Sequence, residues 1–465
     1  MLILLPLVIT ILAVPVTAVL GSLQPRWAPR TAIFAGFLAL AALIWSWSSG
    51  GGAVSLEWVS SWDLRLAFSL DGLAMVYGLL AVGIGLAVLI YSSSYLPAHL
   101  EHEHRPPADA VRFYALLLLF MAAMLGLVMS QDMLLIFFFW DITVITSYFL
   151  IGYDSHKSQS HQAALMALLL TGVSAILFLA GAVVLASLFE TYSLPLLVKA
   201  AQPGPAYTWA MALILVAALT KSAQVPLHFW LPRAMAAPTP VSAYLHSAAM
   251  VAAGVFLVQR FYPLIAISPE LFDALLIVGL LSMLLGGILA LASQALKQLL
   301  AYSTIAQYGY VVFLIGLGTP LGLTASVFYV LVHGLIKSGL FLTAGAVIQS
   351  TGEDHLDQLG GLARRMPWLA AGSGILAAAL AGLPLTLGFF KDELFFLASL
   401  ERGNLFAILS VFSAGLTFAY MLRFWSAIFL GQRGVEDHGV PVLQAAVVGL
   451  LAVIVLFGGL FPQPF

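Results

Sequence analysis

Four segments otherwise made of lipid-soluble side chains carry ionisable residues. In DMLLIFFFWDITVITSYFLIGY, Asp141 lies about nine residues into an apolar run, roughly 14 Å deep at about 1.5 Å per residue. Lys221 closes the run AYTWAMALILVAALTK and is followed by Pro226 and Pro232. In FYVLVHGLIKSGLF, Tyr329, His333 and Lys337 recur every four residues, which puts a phenol, an imidazole and an ammonium on one helix face. Lys391 follows the Gly/Pro-interrupted stretch AGLPLTLGFF and leads directly into Asp392 and Glu393. A charge at bilayer depth costs at least a few kcal/mol, so such a residue faces a protein interior or a watery path and has a partner. The chemistry open to these groups is taking up and releasing protons. Burial disfavours a lysine's charged form and a nearby carboxylate favours it, so Lys221 close to Asp141 reads as a group that loads and unloads a proton. Blander readings stand beside these: a structural carboxylate at 141, a lysine at 221 snorkelling to the interface, and a helix-packing stripe at 329, 333 and 337.

His246, in VSAYLHSAAMVAAGVFL, and His228, in the proline-rich stretch before it, are each either a hydrogen-bonding core residue or a relay. The tract HLEHEHR brings His99, His102 and His104 together, but with no second ligand cluster to pair with it a solvated loop is the better reading than a zinc site. The chain has no cysteine, which excludes disulfides, thiolate metal sites and cysteine-bound iron–sulfur clusters. It has no phosphate-binding loop, no dinucleotide fingerprint and no H-E-x-x-H. Neither a cofactor nor a metal is expected, and any redox chemistry must live on another chain. The sequence reads as one that carries ions or small solutes and has no bond chemistry of its own.

The elements that must position these groups are membrane helices. Of 465 residues, 62% are hydrophobic and 8% charged, against about a quarter charged in soluble domains. The formal charge of −2 offers no polybasic surface for nucleic acid. Segments of roughly 20 apolar residues between polar or Pro/Gly-rich breaks number about fourteen: 2–21, 31–50, 70–92, 112–130, 132–153, 163–189, 206–224, 241–262, 272–294, 298–318, 321–349, 367–390, 405–430 and 440–460. Residues 1–21 lack a basic leader region, so they read as a first span instead of a cleaved signal. Assigning loops alternately to two faces gives one face Arg26, Arg30, Arg105, Arg112, Lys157, Arg233, Lys297, Arg364, Arg365, Arg423 and Arg433. The other receives Arg65, Lys199, Arg260 and Arg402, so the first face is cytoplasmic and both termini are extracytoplasmic. Proline breaks the seventh span, and the Gly/Pro stretch breaks the twelfth. Broken backbone at membrane depth is tolerated where it is buried in protein or lines a cavity, and two such breaks at corresponding places point to an internal repeat. The expected organisation is a single all-α polytopic membrane domain: helices 1–3 over 1–111, a first repeat of helices 4–8 over 112–262, a second of helices 9–13 over 272–430, and helix 14 over 440–460.

The stretch TKSAQVPLHFWLPRAMAAPTPVSAYLHSAAMVAAGVFL resembles a signature of the antiporter-like subunits shared by respiratory complex I, membrane-bound hydrogenases and Mrp-type multisubunit cation/proton antiporters. FSLDGLAMVY, FFFWDITVITSYFLIGY, LKQLLAYSTIAQYGY and VHGLIKSGLF resemble the same family, in the same order, from about 68 to 396. TKSAQ, YLHSA and Thr171-Gly172 resemble the large Mrp antiporter-like polypeptide in particular. The resemblance implies two inverted five-helix repeats and a proton path along a central polar axis. By position it carries the family's fifth-helix glutamate to Asp141, the seventh-helix lysine to Lys221 and the tenth-helix lysine to Lys297. The second histidine and the lysine of the eleventh fall on His333 and Lys337, and the twelfth-helix lysine near Lys391. In the family the acid and lysine form an ion pair whose opening and closing moves a proton.

This sequence departs from the pattern at several points. The acid is one methylene shorter, Ala252 replaces a lysine, Tyr329 replaces the first histidine, Arg233 and Ala237 replace acids, and either Lys391 or Asp392 occupies the twelfth-helix position. Against the family pattern, the sequence reads as a split or minimal version, expected to lack the lateral helix of the distal complex I subunit and the C-terminal extension of the large Mrp polypeptide. The implied function is proton translocation within a cell-membrane complex of several membrane subunits, coupled to Na⁺ or another monovalent cation. The alternatives are the pump arm of complex I, of a membrane hydrogenase or of a related redox complex, a proton path serving inorganic-carbon uptake, or a scaffold that has lost transport.

Overall fold

The computed structural model describes residues 2–59, 64–431 and 438–462. Arg433, one of the basic residues counted above, lies outside the described residues. Among the described residues fifteen longer helices build the bundle: α1 (Leu2–Leu23), α2 (Trp27–Ser48), α3 (Gly72–His102), α4 (Asp109–Met129), α5 (Met133–Ile151), α6 (Ser158–Phe189), α7 (Pro205–Lys221), α8 (Thr239–Arg260), α9 (Glu270–Ala292), α10 (Leu296–Gly316), α11 (Pro320–Thr351), α12 (Pro367–Leu380), α13 (Leu387–Arg402), α14 (Asn404–Phe429) and α15 (Val442–Leu460). Twelve of them, all but α7, α12 and α13, are long and apolar enough to cross a bilayer. The twelfth span, expected over 367–390 with a Gly/Pro break, is two helices: α12 stops at Leu380, six residues containing Pro384 intervene, and α13 begins at Leu387. Burial grades from rim to axis. The apolar window of α8 is 100% buried and that of α10 94%, against 33% for α1 and 28% for α14. A helix apolar on all sides belongs in the interior, and α8, α10 and α11 form that interior.

One element is not helical. Between the spans expected over 31–50 and 70–92 the chain forms a two-stranded antiparallel hairpin, β1 (Gly52–Val59) and β2 (Leu64–Leu70), running from the pair Gly52–Leu70 to Glu57–Arg65. Counting long apolar runs cannot register strands of eight and seven residues that mix apolar and polar side chains. The hairpin is docked on the bundle, where Gln131 N donates to Ala67 O just before α5.

The start of α3 is fixed by Asp71, whose carboxylate accepts from Ala74 N at 2.9 Å and pairs with both terminal nitrogens of Arg260 at the end of α8. Inside α3 the residues Leu80–Ile84 form a π-helical turn, and the Tyr244 hydroxyl of α8 donates to Ala81 O at 2.7 Å.

α6 and α11 are 32 residues each, and both end on a left-handed residue, Glu190 (φ 55) and Gly352 (φ 75). The same pair of main-chain bonds ties each to the helix before it. Met133 N donates to Tyr192 O and Leu194 N to Gln131 O, both at 2.9 Å. Correspondingly, Leu296 N donates to Asp354 O at 2.8 Å and Leu356 N to Gln294 O at 2.9 Å.

The histidine-rich tract does not simply trail into solvent. His99 Nε2 lies 3.0 Å from Asp154 Oδ2, Arg105 bonds Asp154 at 2.8 Å and Asp109 at 2.7 Å, and Lys157 Nζ donates to Glu103 at 2.6 Å. His102 stays exposed. Burial alone would raise the Glu103 carboxyl, but hydrogen bonds from Lys157 and His156 outweigh it and hold it below its ordinary 4.5. Asp154 is likewise held below 3.8, its burial outweighed by the His99 hydrogen bond and the charges of His99 and Arg105. Both carboxyls are lowered on folding. Their contribution is therefore complete above about pH 4.5 and is lost as pH falls through the folded-state values. Thermal unfolding in detergent should show the melting temperature dropping below that pH, with a shallower drop in Asp154→Asn. Parallel drops in the two proteins would place the acid sensitivity elsewhere.

Candidate functional site

The site begins where α7 ends. Beyond Lys221 the chain passes through a cis Val225–Pro226 bond, a single helical turn at Trp230–Arg233 and a 3-10 turn at Ala234–Ala236 before α8 starts. The break is stitched shut by Trp230 Nε1 donating to Thr220 O at 3.0 Å and by Val225 N donating to the Ser282 hydroxyl at 3.0 Å. Lys221 is fully buried. Its ammonium donates to Trp140 O at 3.1 Å and to Thr143 Oγ1 at 2.5 Å, and lies 4.0 Å from the Trp140 ring centroid. The ion pair expected from Asp141 is not formed. Asp141, one residue from Trp140, is partly exposed and has no hydrogen-bond or ion-pair partner among the described residues.

α11 supplies the second group. Its i, i+4, i+8 face is buried throughout, with Tyr329 at 0%, His333 at 1% and Lys337 at 0% exposure. Lys337 Nζ donates to Leu300 O at 2.9 Å and to the Ser303 hydroxyl on α10. The His333 ring stands edge-on to Tyr308 with centroids 5.0 Å apart, and neither ring nitrogen has a partner among the described residues. His246, at the point where the first turns of α8 give way to irregular backbone, is also buried with both nitrogens unpartnered, its ring 6.1 Å from Trp230. Buried imidazoles are normally hydrogen-bonded. These two thus mark interior positions with unused donor and acceptor capacity.

The third group is at the twelfth-span break. Lys391, in the second turn of α13, pairs with Asp392, donates to the Tyr329 hydroxyl at 3.2 Å and lies 4.3 Å from that ring. Lysine and aspartate are here in direct contact with each other. Tyr329 donates in turn to Gln307 Oε1 at 2.8 Å, and Gln307 Nε2 reaches Tyr420 at 3.2 Å and Thr417 at 3.3 Å on α14. Two glycines make the geometry possible. A Cβ on Gly382 (φ +75) would lie 2.2 Å from Asp392 Oδ2, and one on Gly388 would lie 1.7 Å from Ala379 O. Glu393 is exposed, away from this pair.

Lys297, at the start of α10, donates to Ala237 O at 3.0 Å in the seventh-span break. His228 is half-buried within that break. Thr143, Ser303, Gln307 and Tyr420 were not singled out from the sequence. Hydroxyl and amide side chains occur in many helices, and only their contacts with a lysine or with Tyr329, invisible in one dimension, set these apart.

Residues 130–417 match the family model described as NADH:quinone oxidoreductase/Mrp antiporter, TM, and residues 56–105 match NADH-Ubiquinone oxidoreductase (complex I), chain 5 N-terminus. A probable K(+)/H(+) antiporter A/B polypeptide of Rhizobium meliloti (strain 1021) is 37% identical over 449 residues, covering 92% of this chain and 44% of the relative. A Na(+)/H(+) antiporter A1 polypeptide of Staphylococcus aureus (strain bovine RF122 / ET3-1) is 34% identical over 459 residues, covering 92% and 56%. A polypeptide in the structure of the Mrp complex from Dietzia sp. DQ12-45-1b superposes with a TM-score of 0.88 at 32% identity, over 100% of this chain and 51% of that one. The chain spans about half the length of these relatives.

Proposed function

Since the chain belongs to the NADH:quinone oxidoreductase/Mrp antiporter transmembrane family, we propose that it is a proton-translocating subunit of an Mrp-type cation/proton antiporter. In this reading it sits in the cell membrane with both termini outside, packed against other membrane subunits. Protons move along Asp141, Lys221, His246, Lys297, His333, Lys337 and Lys391, with His228, Tyr329 and Asp392 in support, and Na⁺ or another monovalent cation moves the other way. The observation that carries it is that three fully buried lysines, on α7, α11 and α13, all meet hydroxyl groups, and that one of them is joined through Tyr329 to the His333–Lys337 face. A protein that only needed to pack would gain nothing from burying three ammonium groups. The relatives' description as Na(+)/H(+) or K(+)/H(+) antiporter subunits favours this assignment over the redox-linked pump.

The same reading includes two inverted five-helix repeats, over 112–262 and 272–430, flanked by 1–111 and 440–460. Its support is the duplicated pair of main-chain bonds at the starts of α5 and α10 and the two 32-residue helices that follow them. Five crossings separate those starts, so alternate crossing puts them on opposite faces.

The test is cation-dependent proton flux in vesicles from cells expressing the chain with its complex. Flux driven by a Na⁺ or K⁺ gradient supports the proposal. Co-purifying flavin or iron–sulfur absorbance without such flux would move the chain to the pump arm of a redox enzyme. Within the path, Tyr329→Phe removes the hydroxyl between Lys391 and Gln307 and should slow flux about tenfold, the equivalent of one hydrogen bond. Unchanged flux would show that the step at Lys391 bypasses the phenol.

A further inference from the structure

Two of the buried lysines are held in one manner. Lys221 extends from α7 to α5, and Lys337 from α11 to α10. Each ammonium donates to a main-chain carbonyl, of Trp140 or Leu300, and to the hydroxyl three residues further on, of Thr143 or Ser303. Each hydroxyl also donates back to that same carbonyl, Thr143 at 2.6 Å and Ser303 at 2.9 Å. A hydroxyl has one proton; with that proton on the carbonyl, only its lone pairs face the lysine. An aromatic face completes each clamp: Trp140 at 4.0 Å from Lys221 and Phe341 at 5.7 Å from Lys337. Thr143, Ser303 and both lysines are buried. Among the described residues no carboxylate forms an ion pair with either lysine, whereas Lys391 rests on Asp392.

The arrangement has a chemical logic. A carboxylate in contact with a buried ammonium holds the charge so firmly that the proton is slow to leave. An ammonium with no partner would not be loaded at all. Neutral acceptors sit between these limits, because a hydrogen bond to a charged donor is stronger than one between neutral groups yet adds no second charge.

We propose that Thr143 and Ser303 are positioning residues that hold the charged forms of Lys221 and Lys337 on neutral dipoles and so set the pH at which protons pass through them. The inference rests on the proton-translocation reading above. In it, the Trp140–Thr143 clamp competes with Asp141 for Lys221: the acid lies on the same turn of α5, and the lysine is on the clamp in this structure. The titratable group whose field reaches Lys221 is Asp141 of α5; on the other side His333, one turn from Lys337 on α11, is the group that feels both Lys337 and Lys391 of α13.

The test is the pH profile of cation-driven proton flux, measured on the whole complex in vesicles. Thr143→Val and Ser303→Ala each remove an acceptor of the charged form, so a lower pH is needed to load the lysine. The optimum should move down by about one pH unit in each, as expected for a lost hydrogen bond to a charged group. Thr143→Ser, which keeps the oxygen, should retain the wild-type profile. An unshifted optimum in both Thr143→Val and Ser303→Ala, or a Thr143→Ser that behaves like Thr143→Val, overturns the proposal and leaves these residues a packing role. If Thr143→Val is not recovered folded, Ser303→Ala, which deletes a single oxygen, carries the test. Failure of the clamp is separable from failure of the translocation reading. Flux lost in Lys221→Ala with unshifted clamp variants overturns only the clamp, whereas wild-type flux in Lys221→Ala overturns both.

Discussion

Lys221→Ala is expected to lower cation-dependent proton flux by two orders of magnitude or more, the scale on which a positioned proton-transfer group contributes. The amount of folded protein should be unchanged or higher. The substitution removes a fully buried ammonium that has only neutral partners, and taking such a group out of the interior relieves a desolvation cost. Loss of flux then cannot be attributed to loss of fold. Lys221→Met, which fills nearly the same volume, should behave as the alanine does and separates the cavity from the charge. Lys221→Arg should fail as well. A guanidinium stays protonated and cannot release what it carries, and its planar fork does not fit a clamp built from one carbonyl and one hydroxyl. Wild-type flux in the methionine and alanine variants would remove Lys221 from the path, and with it the central argument for proton translocation through α7.

The second large effect is structural and falls at the other break. Gly388→Ala should abolish recovery of monodisperse protein, because its Cβ would lie 1.7 Å from Ala379 O and 2.5 Å from Ala379 C, both main-chain atoms of α12. No rotamer change relieves a clash with backbone. The first turn of α13 must move away from the last turn of α12, and Lys391, three residues later, moves with it, away from Tyr329. Gly415→Ala is the matched control, since Gly415 lies in α14 with nothing within 4 Å of its would-be Cβ. There the change should be neutral or slightly stabilising. Size-exclusion profiles of the two variants in detergent decide the matter. Equal recovery would mean that the α12–α13 seam is looser than its atomic contacts imply.

The parts of this architecture that follow from long-period patterning were legible in the sequence, and those that follow from short contacts were not. Apolar runs of membrane-crossing length mark their helices with no help from tertiary structure, and proline fixes the seventh-span break because it removes an amide donor wherever it stands. The stripe of Tyr329, His333 and Lys337 was readable because helical spacing alone places the three on one face, and the structure buries all three. The partner of Lys221 was not readable. Asp141 and Trp140 are adjacent in sequence, and which of them the ammonium meets depends on the rotation of α5 by a fraction of a turn. Charge complementarity favours the acid, but the structure has the carbonyl one residue earlier and the hydroxyl two residues later. The hairpin at 52–70 escaped for a different reason, being too short and too polar to register against a membrane-length window.

The length of α6 has a consequence for the surrounding lipid. Its exposed apolar side chains run from Leu165 to Leu188, an axial distance of about 35 Å at 1.5 Å per residue. The corresponding row on α1, from Leu2 to Leu23, covers about 32 Å, close to a hydrocarbon layer of about 30 Å. To keep its row immersed, α6 must lean by roughly 30° or draw the acyl chains beside it into a locally thicker annulus. The perimeter of this molecule is therefore not matched to one bilayer thickness. Short-chain lipids would press on the α6 side while leaving the α1 side relaxed, so acyl-chain length is itself a variable in any reconstitution.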